Sequence, residues 1–407
     1  MRKMRTVLYN HTFFPSVGGR ELVVHYLAER MVRQGCDVRL VGPSQWYSYR
    51  KRDKYSYPVH RYPMLAKVKF RDTGWLTSLG EHEKALQLGF DIKRWGCDVV
   101  HAHTTYPAGY IAARLKKRFG FKLVITPHGE DIDTLPEHGY GLRLDPEKRE
   151  KSDFALDKAD AVTAISEGIY QSLTKVGVNP GKIRSIPNGV DCDRFRALDE
   201  DSDSYVPHIP SASRTLITVG NYHPRKGHED IVRAMPFILA SIHNAALVIV
   251  GRGTDALKPT IEEAGVADNV VLTGPIKPWI DAAANGNGEG KKSDSVAALY
   301  KNSDLYVSAG IAEGAEGLSL AVLEAMAAGL PVVGTEITGN RDVITDGVNG
   351  FLATPSDPQD LARKVIACLE NENFRSGLSD GAYQFAAGMD WTNVAQRYVE
   401  LYSDVLG

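Results

Sequence analysis

Short apolar runs alternate with amphipathic stretches along most of this chain, and that alternation restricts its fold more than any other feature. A run of four or five apolar residues is too short for a packed helix but fits a strand buried on both faces. Strands separated by helix-length amphipathic segments build parallel, doubly wound sheets. The class is therefore α/β. Thr6–Tyr9, Asp37–Val41, Asp98–His101, Leu123–Thr126 and Ala161–Ile165 read as strands of one Rossmann-like unit, with helices at Glu21–Gln34 and Gly109–Phe119. A second series runs through Thr215–Val219, Ala246–Val250, Val270–Thr273, Leu305–Ser308 and Pro331–Gly334. A length of 407 residues suits two such units at roughly 150 residues per domain. Between them, the stretch from Asn188 to Arg214 has the acidic, proline-containing composition of a linker. The expected division is 1–190 and 191–390, with 391–407 as a final helix whose apolar residues Val394, Tyr398, Leu401 and Leu406 recur at near-helical spacing.

Composition removes several function classes. Lysine and arginine number 48 against 50 acidic residues, a formal charge of −2, so attraction of the whole molecule to nucleic acid is not expected. No apolar run reaches the roughly 18 residues of a spanning helix, and the first residues lead into a strand, not a signal-peptide core; a cytoplasmic protein is expected. Cys36, Cys97, Cys192 and Cys368 lie far apart, without the paired spacing of zinc or redox sites, and read as free thiols. Local features stand out against this neutral background. Between residues 46 and 71, eight cations, Arg50, Lys51 and Arg52 among them, face only Asp53 and are interleaved with Trp46 and several tyrosines. The glycine-rich stretch from Ala282 to Lys292 reads as a disordered segment or a mobile flap.

In an open parallel sheet, ligands bind beyond the carboxyl ends of the strands, where helix N-termini present free N–H groups to anions. Gly18 and Gly19 follow the first strand and would let a phosphate or sugar approach the backbone, although they lack the Gly-x-Gly-x-x-Gly spacing of a dinucleotide binder. After Leu305–Ser308 comes Glu316-Gly-Leu-Ser-Leu-Ala-Val-Leu-Glu324, a glycine-containing loop opening a helix with carboxylates eight residues apart. Carboxylates accept hydrogen bonds from paired hydroxyls, and amides at Gly317, Leu318 and Ser319 suit a sugar or its diphosphate. On one helix the two carboxylates would stand about 12 Å apart, beyond the roughly 5–9.5 Å of a glycosidase pair, so binding is favoured over hydrolysis. His101 and His103 lack a carboxylate or thiol partner for a metal, and Asp191-Cys-Asp193 follows a turn where a hinge role outweighs metal binding.

The segment Glu316–Glu324 resembles the Glu-x7-Glu signature of retaining glycosyltransferases with the GT-B fold, the family 4 or group 1 glycosyltransferases. Other motifs follow in that family's order: Asp98-Val-Val-His-Ala-His103, Thr126-Pro-His-Gly-Glu-Asp131, Ile186-Pro-Asn-Gly-Val-Asp191, Val219-Gly220 through Lys226-Gly227-His228, Pro331-Val-Val-Gly334 and Asp346-Gly-Val-Asn-Gly350. The resemblance covers nearly the whole chain. It implies two Rossmann-like domains facing across a cleft, the first for the acceptor and the second for a nucleotide sugar, with the C-terminal helix packing back on the first. Carried over by position, Glu324 would bind the ribose, Glu316 the donor sugar's hydroxyls, amides around Leu318, Ser319 and Leu320 the sugar and phosphate, and Lys226 the diphosphate, without a metal or other cofactor. His128 would position the donor sugar. Asn221 stands where the family usually has arginine, and Arg225 is placed to replace it.

The activity so implied is hexosyl transfer with retention, with glucose from UDP-glucose as the expected donor, to a saccharide or lipid-linked saccharide in cell-surface polysaccharide assembly. The basic segment with Arg50, Lys51 and Arg52 would meet the acceptor or lean on the anionic inner face of the membrane. Two alternatives share the fold: a non-hydrolysing sugar-nucleotide epimerase, and a GT-B chain that binds sugar nucleotides without catalysis.

Overall fold

The computed structural model describes residues 3–14, 18–44, 55–63, 74–196, 214–276, 295–314 and 317–407. The chain divides into two compact units, one comprising Met1–Asn188 with Trp391–Gly407, the other centred on Gly189–Asp390. The break falls at Asn188, at the start of the linker-like stretch; the first residues of that stretch form a short helix and 197–213 lie outside the described residues.

The first unit contains strands β1 (Arg5–Tyr9), β2 (Asp37–Ser44), β3 (Val59–Pro63), β4 (Val99–His103), β5 (Lys122–Thr126), β6 (Ala161–Ala164) and β7 (Ile183–Ser185), and helices α1 (Gly19–Arg33), α2 (Gly74–Trp95), α3 (Tyr110–Phe119), α4 (Pro146–Lys158) and α5 (Glu167–Lys175). The sheet order is β3-β2-β1-β4-β5-β6-β7, all parallel. β3 and β7 were not foreseen. Both are edge strands: β3 is a polar run, Val-His-Arg-Tyr-Pro, inside the basic aromatic segment, and β7 has only three residues, so neither carries the continuous apolar run that marks a central strand.

The second unit contains α6 (Cys192–Arg196), β8 (Arg214–Val219), α7 (His228–Ser241), β9 (Ala245–Val250), α8 (Lys258–Glu263), β10 (Val270–Gly274), α9 (Ser295–Lys301), β11 (Leu305–Ser308), α10 (Leu320–Ala327), β12 (Val332–Thr335), β13 (Gly350–Ala353), α11 (Pro358–Leu369) and α12 (Glu372–Gly388). Its order is β10-β9-β8-β11-β12-β13, again parallel. Successive residues of a strand point to opposite faces, so Leu216 joins one core with Leu247, Ile249, Leu305 and Val307, while Ile217 joins the other with Val248, Tyr306 and Val332. Helices cover both faces, which is why every residue of Ala245–Val250 is apolar and buried.

The final helix α13 (Trp391–Leu406) belongs to the first unit. Trp391, Val394, Ala395, Tyr398, Leu401 and Tyr402 form its buried stripe. Trp391 stacks on Tyr26 of α1, with ring centroids 5.9 Å apart, and Tyr402 bonds to His101 of β4. In each sheet the strand order reverses once, between β1 and β4 in the first unit and between β8 and β11 in the second. Loops diverge there and leave a crevice at the carboxyl ends of the strands.

Candidate functional site

In the second unit the crevice is built by two loops tied to each other. β8 ends at Val219, and Pro224–Lys226 forms a 3-10 turn capped by His223, whose Nδ1 accepts from the Arg225 amide at 3.3 Å. Gly227 then adopts φ +62, and a Cβ there would lie 1.8 Å from the carbonyl oxygen of Ala309, just beyond β11. Only glycine allows both the left-handed turn and that approach. The Ile311 amide completes the tie by donating to the Arg225 carbonyl at 3.1 Å. With the turn so fixed, the Lys226 ammonium lies over Gly220, 3.2 Å from where a Cβ would stand. A cation is thereby held at the end of the central strand.

Asn221, exposed in the same loop, accepts from the Arg252 amide through its Oδ1 at 3.0 Å, so its carbonyl bridges the β8 and β9 loops and its NH2 group retains donor capacity. Opposite this loop, α10 starts at Leu320 after Ser319, whose side chain makes no capping bond, so first-turn N–H groups are left for another acceptor. Leu318 is buried in the core, so its side chain serves packing. Gly317, Ser319 and Leu320 are partly exposed around it. Glu324 sits one turn into α10. The Tyr300 hydroxyl donates to its Oε2 at 3.4 Å and Arg194 stands 3.7 Å from its Oε1, an ion pair with little exposure on either side. Neither Tyr300 nor Arg194 was singled out from sequence, because each reaches Glu324 from a helix distant in the chain. Glu313, also missed, accepts from the Thr338 amide and hydroxyl at 3.0 and 2.7 Å and pairs with Arg341. Burial pushes its carboxyl up, but those bonds outweigh burial and hold it below the usual range. Glu316 lies outside the described residues.

In the first unit, Gly18 has φ −151, extended backbone open to any residue, and a Cβ there would lie 2.8 Å from Glu21 Oε2. Its want of a side chain makes room for that buried carboxylate, which also accepts the Thr12 hydroxyl. Gly19, exposed, opens α1. His128 follows β5; its amide donates to Asp131 Oδ1 at 2.8 Å and its Nε2 meets His103 Nδ1 at 3.2 Å, with one nitrogen donating and the other accepting. The His103 ring lies 4.2 Å from that of His101, centroid to centroid. His101 is fully buried and bonds Tyr402 through Nδ1 and Thr126 through Nε2, both at 2.6 Å, which is the structural role its place on a buried strand implied. Burial, reinforced by neighbouring positive charge, pushes the His101 and His128 imidazoles well down and His103 to about 3, so the cluster is neutral at physiological pH.

Asp191 accepts from the Arg194 amide at 3.4 Å at the start of α6, and Asp193 is exposed, so this triplet belongs to a helix start. Among the described residues no group of three or more His, Cys, Asp or Glu side chains is placed to hold a metal, and no helix is long and apolar enough to cross a membrane. All four cysteines are free. Arg50, Lys51, Arg52 and the Ala282–Lys292 stretch lie outside the described residues.

Two Rossmann-like units, the second with a fixed lysine and an open helix N-terminus at its switch point, define a GT-B architecture. Solved structures share it. HepE from Anabaena, in complex with UDP and glucose, superposes with a TM-score of 0.76 at 19% identity, over 98% of this chain and 100% of that one. Sucrose-phosphate synthase from Thermosynechococcus elongatus gives 0.79 at 18% identity over 99% of each. In sequence, the model described as Glycosyltransferase Family 4 matches residues 17–194 and that described as Glycosyl transferases group 1 matches residues 213–371. The chain belongs to this glycosyltransferase family and is a transferase of that class. It is 25% identical over 401 residues to N-acetyl-alpha-D-glucosaminyl L-malate synthase of Bacillus anthracis, covering 97% of this chain and 96% of that protein.

Proposed function

We propose that this protein is a retaining, metal-independent hexosyltransferase that moves glucose from UDP-glucose onto a saccharide or lipid-linked saccharide in cell-surface glycoconjugate assembly. The observation that carries the reading is the Lys226 ammonium held over Gly220 at the second unit's switch point, opposite the open N-terminus of α10. The leaving group is a nucleoside diphosphate whose negative charge grows in the transition state, and a preorganised cation with helix amides stabilises it. Arg225 supplies a second cation in place of the arginine missing at Asn221, whose NH2 group adds a neutral donor. Glu324, oriented by Tyr300 and Arg194, accepts from the ribose hydroxyls. Glu316 holds the donor sugar's hydroxyls, and neutral His128 positions the sugar without abstracting a proton. In this mechanism the departing diphosphate accepts the acceptor's proton, so no protein nucleophile is needed. The neighbour solved with UDP and glucose supports the donor.

A donor screen tests this. Purified protein should release UDP slowly from UDP-glucose, faster with an acceptor, and undiminished by EDTA. A changed sugar without transfer would identify an epimerase, and binding without turnover a binding module. Glu316→Ala should lower transfer strongly with unchanged melting. Peripheral membrane contact through Arg50, Lys51 and Arg52 is tested by flotation with anionic liposomes; no binding removes it.

A further inference from the structure

The switch point of the first unit holds polar groups that its own fold leaves unsatisfied. Asn10, directly after β1, is fully buried, and neither its Oδ1 nor its Nδ2 has a hydrogen-bond partner among the described residues. Across the switch point, at the end of β4, His103 Nε2 and the Thr104 hydroxyl are likewise buried without partners among the described residues. Thr104 also takes φ 131, a conformation that strains a residue bearing a Cβ. Buried polar atoms are nearly always paired, since an orphan has lost its hydrogen bonds to water and gained none in return. Four such atoms and a strained backbone at the two strands flanking one crevice point to a ligand that satisfies them.

Two cations, Arg20 and Lys84, act on this region alongside the buried carboxylates of Glu21 and Asp131. Arg20, in the first turn of α1, donates through Nη2 to Thr12 Oγ1 at 3.0 Å and meets His11 Nε2 at 3.4 Å, while its Nε and the His11 Nδ1 are buried without partners among the described residues. Glu21 stands 3.6 Å from Arg20 but is buried and takes the Thr12 hydroxyl. Lys84 on α2 is partly buried, with no hydrogen bond or ion pair within 4 Å among the described residues; nearby Glu81 is engaged by Lys151 and Tyr106, and Glu83 by Gln87. Arg20 and Lys84 both bear electrostatically on His11, and Arg20 also on His103 and His128.

We propose that this crevice is the acceptor's anion subsite: a phosphate or carboxylate on a hydroxylated acceptor is held by Arg20 and Lys84, while its hydroxyls are met by Asn10 and Thr104. The proposal rests on the transferase reading for the word acceptor, but the anion site itself does not require turnover. A guanidinium presents five N–H donors, and those not spent on Thr12 and His11 fit an oxyanion. Asn10 can both donate to and accept from a hydroxyl.

The test is calorimetric titration of the full chain, saturated with UDP, with inorganic phosphate as probe. UDP occupies the donor's own diphosphate subsite. Phosphate is expected to bind still, and at least tenfold more weakly to Arg20→Gln and to Lys84→Gln, with UDP affinity unchanged in both. Absence of phosphate binding, or equal binding by both variants, would overturn the site. Phosphate displaced by UDP, or a loss of UDP affinity in the variants, would assign the cations to the donor and overturn the acceptor role. If sugar transfer is found, D-glucose 6-phosphate should be used at least tenfold better than D-glucose, and Lys84→Gln should raise its KM with kcat and the donor KM unchanged; equal use of the pair refutes the proposal. A chain that binds phosphate as described yet neither binds nor turns over any sugar nucleotide would fail the transferase reading alone.

Discussion

Gly227→Ala separates two costs that are usually confounded, because Gly265 supplies a matched control. Both glycines are left-handed, at φ +62 and +66, but a Cβ on Gly265 would meet nothing within 4 Å, whereas one on Gly227 would lie 1.8 Å from the Ala309 carbonyl oxygen. Alanine in that conformation costs roughly 1–2 kcal/mol by itself, and Gly265→Ala should lose about that and nothing in activity. Gly227→Ala must in addition move the turn away from β11. Restoring even the 3.0 Å below which real Cβ contacts are essentially never seen needs a shift of about 1.2 Å. The bond from the Ile311 amide to the Arg225 carbonyl does not survive such a shift, which adds about 1 kcal/mol. A total near 2–3 kcal/mol is expected in the second unit's unfolding. The same shift carries Lys226 with it, and a misplacement of about 1 Å at a reacting centre costs on the order of 100-fold. UDP affinity by calorimetry and transfer rate from the best donor should therefore fall together in Gly227→Ala and not in Gly265→Ala. If Gly227→Ala binds UDP within threefold of the parent chain, the Lys226 turn is not what holds the diphosphate.

Other outcomes follow from the same geometry. Lys226→Ala should lower transfer roughly 100- to 1,000-fold with unchanged melting, the usual scale for one lost electrostatic donor; parental rates would remove Lys226 from the site. Trp391→Ala deletes a buried ring stacked on Tyr26 and should destabilise the first unit by about 3–5 kcal/mol, read by calorimetric unfolding as an early transition with the second unit's unchanged. Acid should weaken the first unit. Burial holds His103 near 3 in the folded chain, below the ordinary 6.5, so the unfolded chain takes up the proton first and stability is lost as pH falls below about 6.5. At pH 5 that is roughly 2 kcal/mol from His103, offset in part by Asp133, which burial raises to about 6 and which gains stability on acidification. Urea midpoints for the first unit should drop between pH 7 and pH 5, and by less in His103→Gln; a flat profile would mean that the histidine is not held neutral.

Much of this protein was legible in its residues. The alternation of apolar and amphipathic segments set the α/β class and most central strands, because a strand buried on both faces must be apolar along its length, as in Ala245–Val250. The edge strands β3, β7 and β13 escaped because half-covered or very short strands carry no such run. Spacing also pointed to the loops of the proposed site, since turn glycines and helix starts are local properties.

What the sequence by itself could not decide is which distant residues meet at those loops. Arg194 and Tyr300 reach Glu324 across more than 20 positions, and Gly227 meets Ala309 only because β8 and β11 are neighbours. Tyr402 reaches His101 across 301 positions, so the C-terminal helix helps to hold the histidine cluster behind His128. Periodicity and capping act within a few residues, whereas satisfying a buried polar atom depends on whichever segment the fold brings beside it. The unmatched atoms of Asn10, His103 and Thr104 were for that reason invisible in the sequence.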